Sequence, residues 1–127
     1  MMTTTQEKTM TTQEVANRFH ELAQQEKWFA IQDEFFADDV KSIDPEGSPY
    51  FGNAAGKAAV RKKGEDFVSR IEAVHSARTT APIVTGNHFV VGREKDITVR
   101  PHGRITINQV MLYEVKNGKI VLEQFFY

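Results

Sequence analysis

The hydrophobic periodicity of this chain changes once, near Val74, and that change constrains the fold more than any other feature. Before it, apolar residues recur at the three- and four-residue spacing of amphipathic helices. After it, β-branched residues alternate with polar ones at the two-residue spacing of strands. Short turns rich in glycine, asparagine and proline separate the predicted strands, which cover about 74–85, 88–100, 104–115 and 119–126. We therefore expect the second half to form a meander of antiparallel strands.

The first half of the chain predicts three helices and one short strand. Thr11 and Glu14 match a capping box, in which a hydroxyl and a carboxylate satisfy backbone amides at a helix start. Pro45 is expected to end the strand, because it has no N–H to donate. The helices are expected over roughly 12–26, 28–37 and 56–73, and the strand over 40–44. This order predicts an α+β domain: three N-terminal helices packed on a strongly curved, mostly antiparallel sheet, in a cone-shaped barrel.

Length, charge and cysteine content exclude several kinds of function for this protein. The 127 residues fit one domain, which we place at 11–127 after a flexible polar N-terminal segment, 1–10. A formal net charge of -1 predicts no attraction to nucleic acid or to an anionic membrane. The absence of cysteine excludes disulfides, thiolate metal sites and a cysteine nucleophile. No apolar run is long enough for a signal peptide or a membrane span, so we expect a cytoplasmic protein.

Sequence motifs for cofactors and metals are not found. The four histidines lack the spacing typical of metal ligands, and there are no glycine-rich nucleotide signatures or serine-nucleophile motifs. The run Arg61-Lys62-Lys63 lies off the apolar stripe of the third helix, so we interpret it as a solvated face rather than a phosphate site. We expect no cofactor and no metal, and a small hydrophobic ligand in a cavity between the helices and the sheet.

Asp44 is the main catalytic candidate. An acid at the end of a strand, fixed by a following proline, can act as a general base if it faces an apolar cavity. The alternative is that Asp44 only ends the strand and caps the next turn. His75 begins the first long strand and titrates near neutral pH, which makes it the candidate acid–base partner. The alternative for His75 is a hydrogen-bonded structural role.

Strand alternation selects the remaining candidates. Glu114 and Lys116 are expected to face solvent, which places Gln109, Met111 and Tyr113 on the inner face of the sheet. A glutamine on an apolar face indicates either a placed hydrogen-bonding group or a bond to neighbouring backbone. We therefore include Gln109 as a residue that assists catalysis. The expected lining of the cavity is Phe19, Trp28, Met111 and Tyr113.

The order helix–helix–strand–helix–meander, with Phe36-Ala37-Asp38-Asp39 closing the second helix, resembles the nuclear transport factor 2 superfamily. That superfamily includes ketosteroid isomerases, SnoaL-like polyketide cyclases, scytalone dehydratase and limonene epoxide hydrolase. Segments similar to an uncharacterised SnoaL-like branch are Ser42 to Gly47, Val74 to Ser76, and Lys119-Ile120 with Glu123 to Tyr127. The resemblance covers about residues 11 to 127. It implies the fold but not one reaction, because this fold hosts many chemistries.

The resemblance also implies a role for Asp44. In bacterial ketosteroid isomerases the aspartate of the matching Asp-Pro pair is the catalytic base. Their oxyanion tyrosine aligns with Phe19, or with His20 if the gap is placed differently, and phenylalanine cannot donate a hydrogen bond. Their second donor, a carboxylic acid, falls near Gln109 to Met111, where no acid occurs. Steroid isomerisation by that mechanism is therefore not expected.

The final segment predicts a partner surface. Alternation sends Glu123, Phe125 and Tyr127 to one face of the last strand, and Gln124 and Phe126 to the other. Apolar residues on both faces indicate that both are covered, and we expect a homodimer through the sheet.

Three functional hypotheses follow from these observations. The first is an isomerase, cyclase, dehydratase or hydrolase that acts on a small hydrophobic carbonyl-bearing molecule with Asp44 as base. The second is a non-catalytic small-molecule-binding module that uses the same cavity. The third is a dimerisation domain whose cavity is filled by side chains.

Overall fold

The computed structural model describes residues 9–127, so most of the segment predicted as a flexible N-terminus, 1–10, lies outside the described residues. The elements follow in the order α1 (Thr12–Gln24), α2 (Trp28–Phe35), β1 (Phe36–Ile43), β2 (Ala54–Ala55), α3 (Lys57–Arg70), β3 (Ile71–Thr79), β4 (Ile83–Thr85), β5 (His88–Val99), β6 (Gly103–Lys116) and β7 (Lys119–Phe126). None of the helices within 9–127 is long and apolar enough to cross a membrane.

The predicted capping box starts α1. The Thr11 hydroxyl accepts a hydrogen bond from the Glu14 backbone N–H at 3.1 Å, and the Glu14 carboxylate accepts one from the Thr11 N–H at 2.9 Å. The prediction for the end of α2 is wrong, because α2 ends at Phe35 and the segment Phe36-Ala37-Asp38-Asp39 belongs to β1. Phe36 adopts an extended conformation and pairs with Ile120, so sheet pairing outweighs the helical pattern there.

The sheet has seven strands, in the order β2-β1-β7-β6-β5-β3, with β4 paired to β5. All pairs are antiparallel except β1 with β7, which is parallel. The α+β class, the three helices and the mostly antiparallel sheet are thus confirmed. Within residues 9–127 the predicted strong curvature is not found. The predicted cone-shaped barrel is not closed there either, because the path of paired strands has two open ends, at β2 and β3.

The strand predicted over 74–85 is two strands. β3 ends at Thr79 and β4 begins at Ile83, with Thr80, Ala81 and Pro82 between them. Thr80 leaves the regular ladder by exchanging hydrogen bonds with Gly92: its N–H donates to the Gly92 carbonyl at 2.9 Å, and its hydroxyl accepts from the Gly92 N–H at 2.8 Å. Pro82 has no N–H with which to continue the pairing.

The helices pack on the inner face of the sheet and form two apolar clusters. The larger cluster joins α1 and α2 to β5, β6 and β7, with Phe19 at its centre, 5.0 Å from the Phe89 ring and 4.8 Å from the Tyr113 ring. The smaller cluster joins α3 to the far ends of β5 and β6 through Phe67 and Ile97. Residues of both clusters border one cavity.

Candidate functional site

The cavity has a volume of about 500 Å³ and lies between α2, α3 and the inner faces of β5, β6 and β7. Most of its wall is aromatic or aliphatic; the large apolar side chains are Trp28, Phe29, Phe51, Phe67, Met111 and Phe125. A concavity of about 600 Å³ lies elsewhere, between the start of α1 and the turn before β7. Lys116 is the only charged residue that the described part of the chain contributes to this second concavity. We therefore place the candidate site in the first cavity, where ionisable side chains meet an apolar wall.

Glu123 supplies a carboxyl group to the cavity wall. It lies on β7 opposite Tyr113 of β6, and only 7% of the residue is exposed. Its carboxyl is hydrogen-bonded to the hydroxyls of Ser42 and Tyr113. Burial raises the pKa of Glu123 to about 7; the Lys63 ammonium opposes this rise, and the charge of Asp44 adds to it. Burial also raises the pKa of the Tyr113 hydroxyl well above its ordinary value.

Asp44 follows β1 and is held from three sides. Its backbone N–H donates to the Asn53 side-chain oxygen at 2.9 Å. One carboxylate oxygen forms an ion pair with the Lys63 ammonium, and the other accepts a hydrogen bond from the Tyr127 hydroxyl at 2.7 Å. The Tyr127 hydroxyl also lies 2.5 Å from the Ser48 hydroxyl. The cavity wall includes Lys63 but not Asp44, so Asp44 reaches the cavity only through Lys63.

Ser42 connects the two carboxyl groups. Lys63, which binds Asp44, also donates to the Ser42 hydroxyl at 2.8 Å, and Ser42 is hydrogen-bonded in turn to Glu123. A hydroxyl that accepts from an ammonium still has its own proton to donate, which suits the Glu123 carboxylate. We call the series Asp44, Lys63, Ser42, Glu123 and Tyr113 the inner polar chain.

The other predicted site residues are placed as follows. Gln109, Trp28, Met111 and Tyr113 all contribute to the cavity wall. Phe19 does not; it is fully buried behind Trp28, with the two ring centroids 5.7 Å apart. The structure therefore brings Gln109 to the same cavity as Lys63 and leaves Phe19 in the core.

His75 is not placed as a partner of Asp44. It is exposed, and its Nε2 lies 2.8 Å from the Thr98 hydroxyl oxygen. Thr98 lies between the buried Ile97 and Val99, so the side chain of Thr98 points to the outer face of the sheet. Since the register of β3 on β5 shifts between Val74 and Ser76, His75 is the extra residue of a β-bulge. His75 therefore does not contribute to the cavity wall.

The prediction that Arg61-Lys62-Lys63 is a solvated face is wrong for Lys63. The Lys62 side chain is 77% exposed, whereas that of Lys63 is 13% exposed and faces the cavity. Arg61 is intermediate: it pairs with Asp33 at 2.5 Å, and its guanidinium lies 4.6 Å from the Phe29 ring centroid. A helix turns by about 100° per residue, so adjacent residues need not share an environment.

Two cations on β5 that line the wall were not singled out in the sequence. Arg93 is buried, donates to Glu26 at 2.8 Å, and lies 4.5 Å from the centre of the Trp28 ring. Lys95 extends into the same cavity. Both share the inward register of the buried Val91 and Ile97 along β5, and charged residues in that register were the signal that could have identified them. Among residues 9–127 there is no cluster of three acidic or histidine side chains that could hold a metal.

Comparison with known families identifies the class. The SnoaL-like domain matches residues 10–127, and the chain belongs to this family. A solved structure from Mesorhizobium loti, described as a SnoaL-like polyketide cyclase and carbohydrate phosphatase, is 35% identical, with a TM-score of 0.86. The match covers 93% of this chain and 100% of the Mesorhizobium chain. The predicted family resemblance is thus confirmed. No curated protein matches the chain.

More distant structures show the same fold. A protein with a ketosteroid isomerase-like fold from Catenulispora acidiphila, in complex with trimethylamine, is 17% identical with a TM-score of 0.68. That match covers 92% of this chain and 87% of the other. TerC, co-crystallised with polyporic acid, is 16% identical with a TM-score of 0.68, over 91% of this chain and 90% of TerC. At these identities the likeness concerns the fold alone.

Proposed function

We propose that the protein binds a small, largely apolar, carbonyl-bearing molecule in the cavity and that the Glu123 carboxyl moves a proton to or from it. The observation that carries this proposal is a carboxyl group in the wall of an apolar cavity, with a pKa raised to about 7 by burial. A group with such a pKa is partly protonated at neutral pH, so it can act either as general acid or as general base.

The proton is removed from a carbon next to the carbonyl group, or it is donated to a leaving oxygen. Removing the carbon proton places negative charge on the carbonyl oxygen, and a donor in the wall must stabilise it. Gln109 and Lys63 both line the cavity and both carry N–H donors. This arrangement supports isomerisation, cyclisation or dehydration more directly than hydrolysis.

Asp44 becomes a positioning residue in this proposal instead of the base. Both of its carboxylate oxygens are engaged, one by Lys63 and one by Tyr127, and its side chain is outside the wall. Its effect on a ligand passes through the Lys63 ammonium, which it holds at the cavity. The provisional cyclase name of the Mesorhizobium relative is compatible with a carbonyl-bearing substrate.

The test is exchange of the carbon-bound proton of a simple bicyclic ketone, 2-tetralone, for deuterium, followed by proton NMR. The wild type should accelerate exchange over buffer, with a midpoint near pH 7 in the rate profile. Glu123→Gln should lose at least a factor of about 100, in line with the usual effect of a general base. Asp44→Asn should retain part of the rate. Equal exchange by wild type and Glu123→Gln would exclude Glu123 as the proton carrier.

The alternative function is a non-catalytic binding module. The observation that favours it is Phe19, which is packed into the core. By the predicted resemblance, Phe19, or His20 if the gap is placed differently, aligns with the oxyanion tyrosine of ketosteroid isomerases. This alternative predicts that 2-tetralone quenches the fluorescence of Trp28, the single tryptophan, while its exchange rate stays at the buffer value.

The exposed outer face of the sheet supports the predicted homodimer. Val110 and Phe126 pair directly across β6 and β7, and they are 48% and 49% exposed. Covering these side chains with a second copy would remove them from water. Sedimentation velocity should show a dimer at micromolar concentration, and Val110→Glu should shift it to monomer. A wild-type monomer at that concentration would contradict the dimer.

A further inference from the structure

Lys95 differs from the other cations of the cavity in its surroundings. It lies on β5, two residues after Arg93, with a half-buried side chain that extends into the cavity. Its ammonium nitrogen lies 5.0 Å from the centre of the Phe67 ring and 5.9 Å from that of Phe51. Burial against these walls removes water from the amine, which favours its neutral form, while the ring faces attract the charged form.

The ion pairs of the cavity leave Lys95 without an acidic partner. Lys63 pairs with Asp44, and Arg93 pairs with Glu26. Within residues 9–127, the Lys95 side chain makes neither an ion pair nor a hydrogen bond. Burial lowers the pKa of Lys95 to about 8, and the neighbouring Arg93 lowers it further, while the charges of Glu26 and Asp44 oppose the change.

We propose that Lys95 is a nucleophilic amine that forms an imine with an aldehyde or ketone bound in the cavity beside the Phe51 and Phe67 rings. The inference rests on the proposed function for the class of ligand and adds a covalent step at a different residue. A desolvated lysine beside another cation is a recognised form of activated amine.

The step balances without an oxidant or a cofactor. The lone pair of the neutral amine attacks the carbonyl carbon, and a proton passes from nitrogen to oxygen to give a carbinolamine. Protonation of its hydroxyl releases water and leaves the iminium ion, which loses its N–H proton to become the imine. The iminium ion attracts electrons more strongly than the carbonyl group did. It therefore acidifies the adjacent C–H, the proton that the proposed function assigns to Glu123.

The flat walls also restrict the ligand. Phe51 and Phe67 lie 4.5 Å apart, centre to centre, in a tilted arrangement next to the amine. An aromatic or fused-ring carbonyl compound can pack against these rings while its carbonyl carbon reaches Lys95. A short aliphatic aldehyde gains less from this wall, so we expect it to react more slowly.

The test is reductive trapping of the full chain with 2-naphthaldehyde and sodium cyanoborohydride at pH 8, followed by intact mass and peptide mapping. We expect one main adduct, at Lys95, formed at least ten times faster than the adduct at the exposed Lys62. Lys95→Arg keeps the positive charge and should lose this adduct. Lys62→Arg is the matched control, and Lys95 should be labelled in this variant at the same rate as in the wild type.

The pH dependence separates an activated amine from an ordinary one. Labelling of Lys95 should rise with a midpoint near pH 8, whereas that of exposed lysines should keep rising toward about pH 10.4. The charged and titratable groups that line the cavity or lie next to it, besides Lys95, are Arg93 on β5, Glu26 and Lys27 before α2, Asp44 after β1, Lys63 on α3, Tyr113 on β6 and Glu123 on β7. Lys62→Arg, on the exposed side of α3, should leave the midpoint near pH 8.

The outcomes distinguish this inference from the proposed function. Adducts spread over exposed lysines, with Lys95 no faster than Lys62, would overturn the imine. If labelling is not selective but 2-naphthaldehyde still quenches Trp28 fluorescence, the cavity remains the ligand site and only the proposal of an imine at Lys95 is overturned. If Lys95 is labelled selectively but ketone exchange is unaffected by Glu123→Gln, the proton-transfer proposal falls and the amine stands. If the aldehyde neither binds nor labels, both are overturned.

Discussion

The end of β1 and the middle of β7 each carry a buried carboxyl group, and the two carboxyl groups have different surroundings. Asp44, after β1, forms an ion pair with Lys63 and accepts a hydrogen bond from the Tyr127 hydroxyl. Glu123, on β7, is hydrogen-bonded to two hydroxyls and faces an apolar cavity. Lys63 is connected to Glu123 through Ser42 in the inner polar chain. Two carboxyls of similar burial thus have different immediate partners.

The difference shows which carboxyl is suited to which task. An ion pair with a lysine fixes a carboxylate and the lysine together, which is a structural and positioning task. A carboxyl that burial holds near a pKa of 7 can gain and lose a proton at neutral pH, which is the task of an acid or a base. In the proposed function Asp44 is therefore the positioning residue, and Glu123 is the proton carrier.

The largest effect is expected from Lys63→Met. It leaves the buried Asp44 without its cation, and breaking such a pair typically costs about 3–4 kcal/mol. Urea unfolding at pH 7 measures this loss. Lys62→Met on the same helix, with an exposed side chain, is the control and should stay within about 0.5 kcal/mol of the wild type. Similar small effects of both changes would mean that Asp44 does not depend on Lys63.

The second effect concerns the pH dependence of stability. The folded pKa of Glu123, about 7, lies above its ordinary value of 4.5, so the folded state binds the proton more tightly than the unfolded state. The resulting stability is present below pH 4.5 and is lost as the pH rises to about 7, by roughly 3 kcal/mol in total. The measurement is urea unfolding of wild type and Glu123→Gln from pH 4.5 to 8.

In that experiment the difference in unfolding free energy between the two proteins should change through this pH window and stay constant above it. A difference that does not depend on pH would show that Glu123 titrates at its ordinary pKa. The two carboxyl environments would then be alike in their consequences.

A smaller effect is expected from Ser42→Ala, which removes the hydroxyl between Lys63 and Glu123. Buried hydrogen-bond partners left unsatisfied cost about 1–2 kcal/mol, and Ser42 is fully buried. Its hydrogen bond lowers the pKa of Glu123, so the variant should raise that pKa. Ser76→Ala, on the exposed strand β3, is the control. A Glu123 pKa that does not move would show that Ser42 does not connect the two carboxyls.

The smallest effect is expected from His75→Ala. His75 is exposed and bonded only to Thr98 on the outer face, so stability should change by about 0.5 kcal/mol or less. Deuterium exchange of 2-tetralone should also be unchanged. A large loss of exchange with intact stability would restore His75 as a partner of the site.

The comparison also explains what the sequence could predict. Alternation and turn signals predicted the α+β class and the β5–β6–β7 meander, because these depend on local period. They could not predict the open edges of the sheet or the parallel β1–β7 pair, which depend on contacts between distant parts of the chain. The bulge that moves His75 outward is likewise set by pairing with β5.

The site was predicted in part for the same reason. Asp44 was recognised because an Asp-Pro at a strand end is a local signal. The sequence suggests that Glu123 and Lys63 are exposed to solvent. Glu123 is a charged residue in the last predicted strand, and Lys63 belongs to a run of basic residues. Only the packing of α3 and β7 around one cavity shows that both are buried. An acid in register with Phe125 on the inner face was the available clue to Glu123.

The most direct test of the central claim is a carbon-13 NMR titration of the side-chain carboxyl groups, with Glu123 assigned by its loss in Glu123→Gln. The account predicts that the Glu123 carboxyl titrates with a midpoint near pH 7. A Glu123 midpoint near 4.5, the ordinary value, would contradict it.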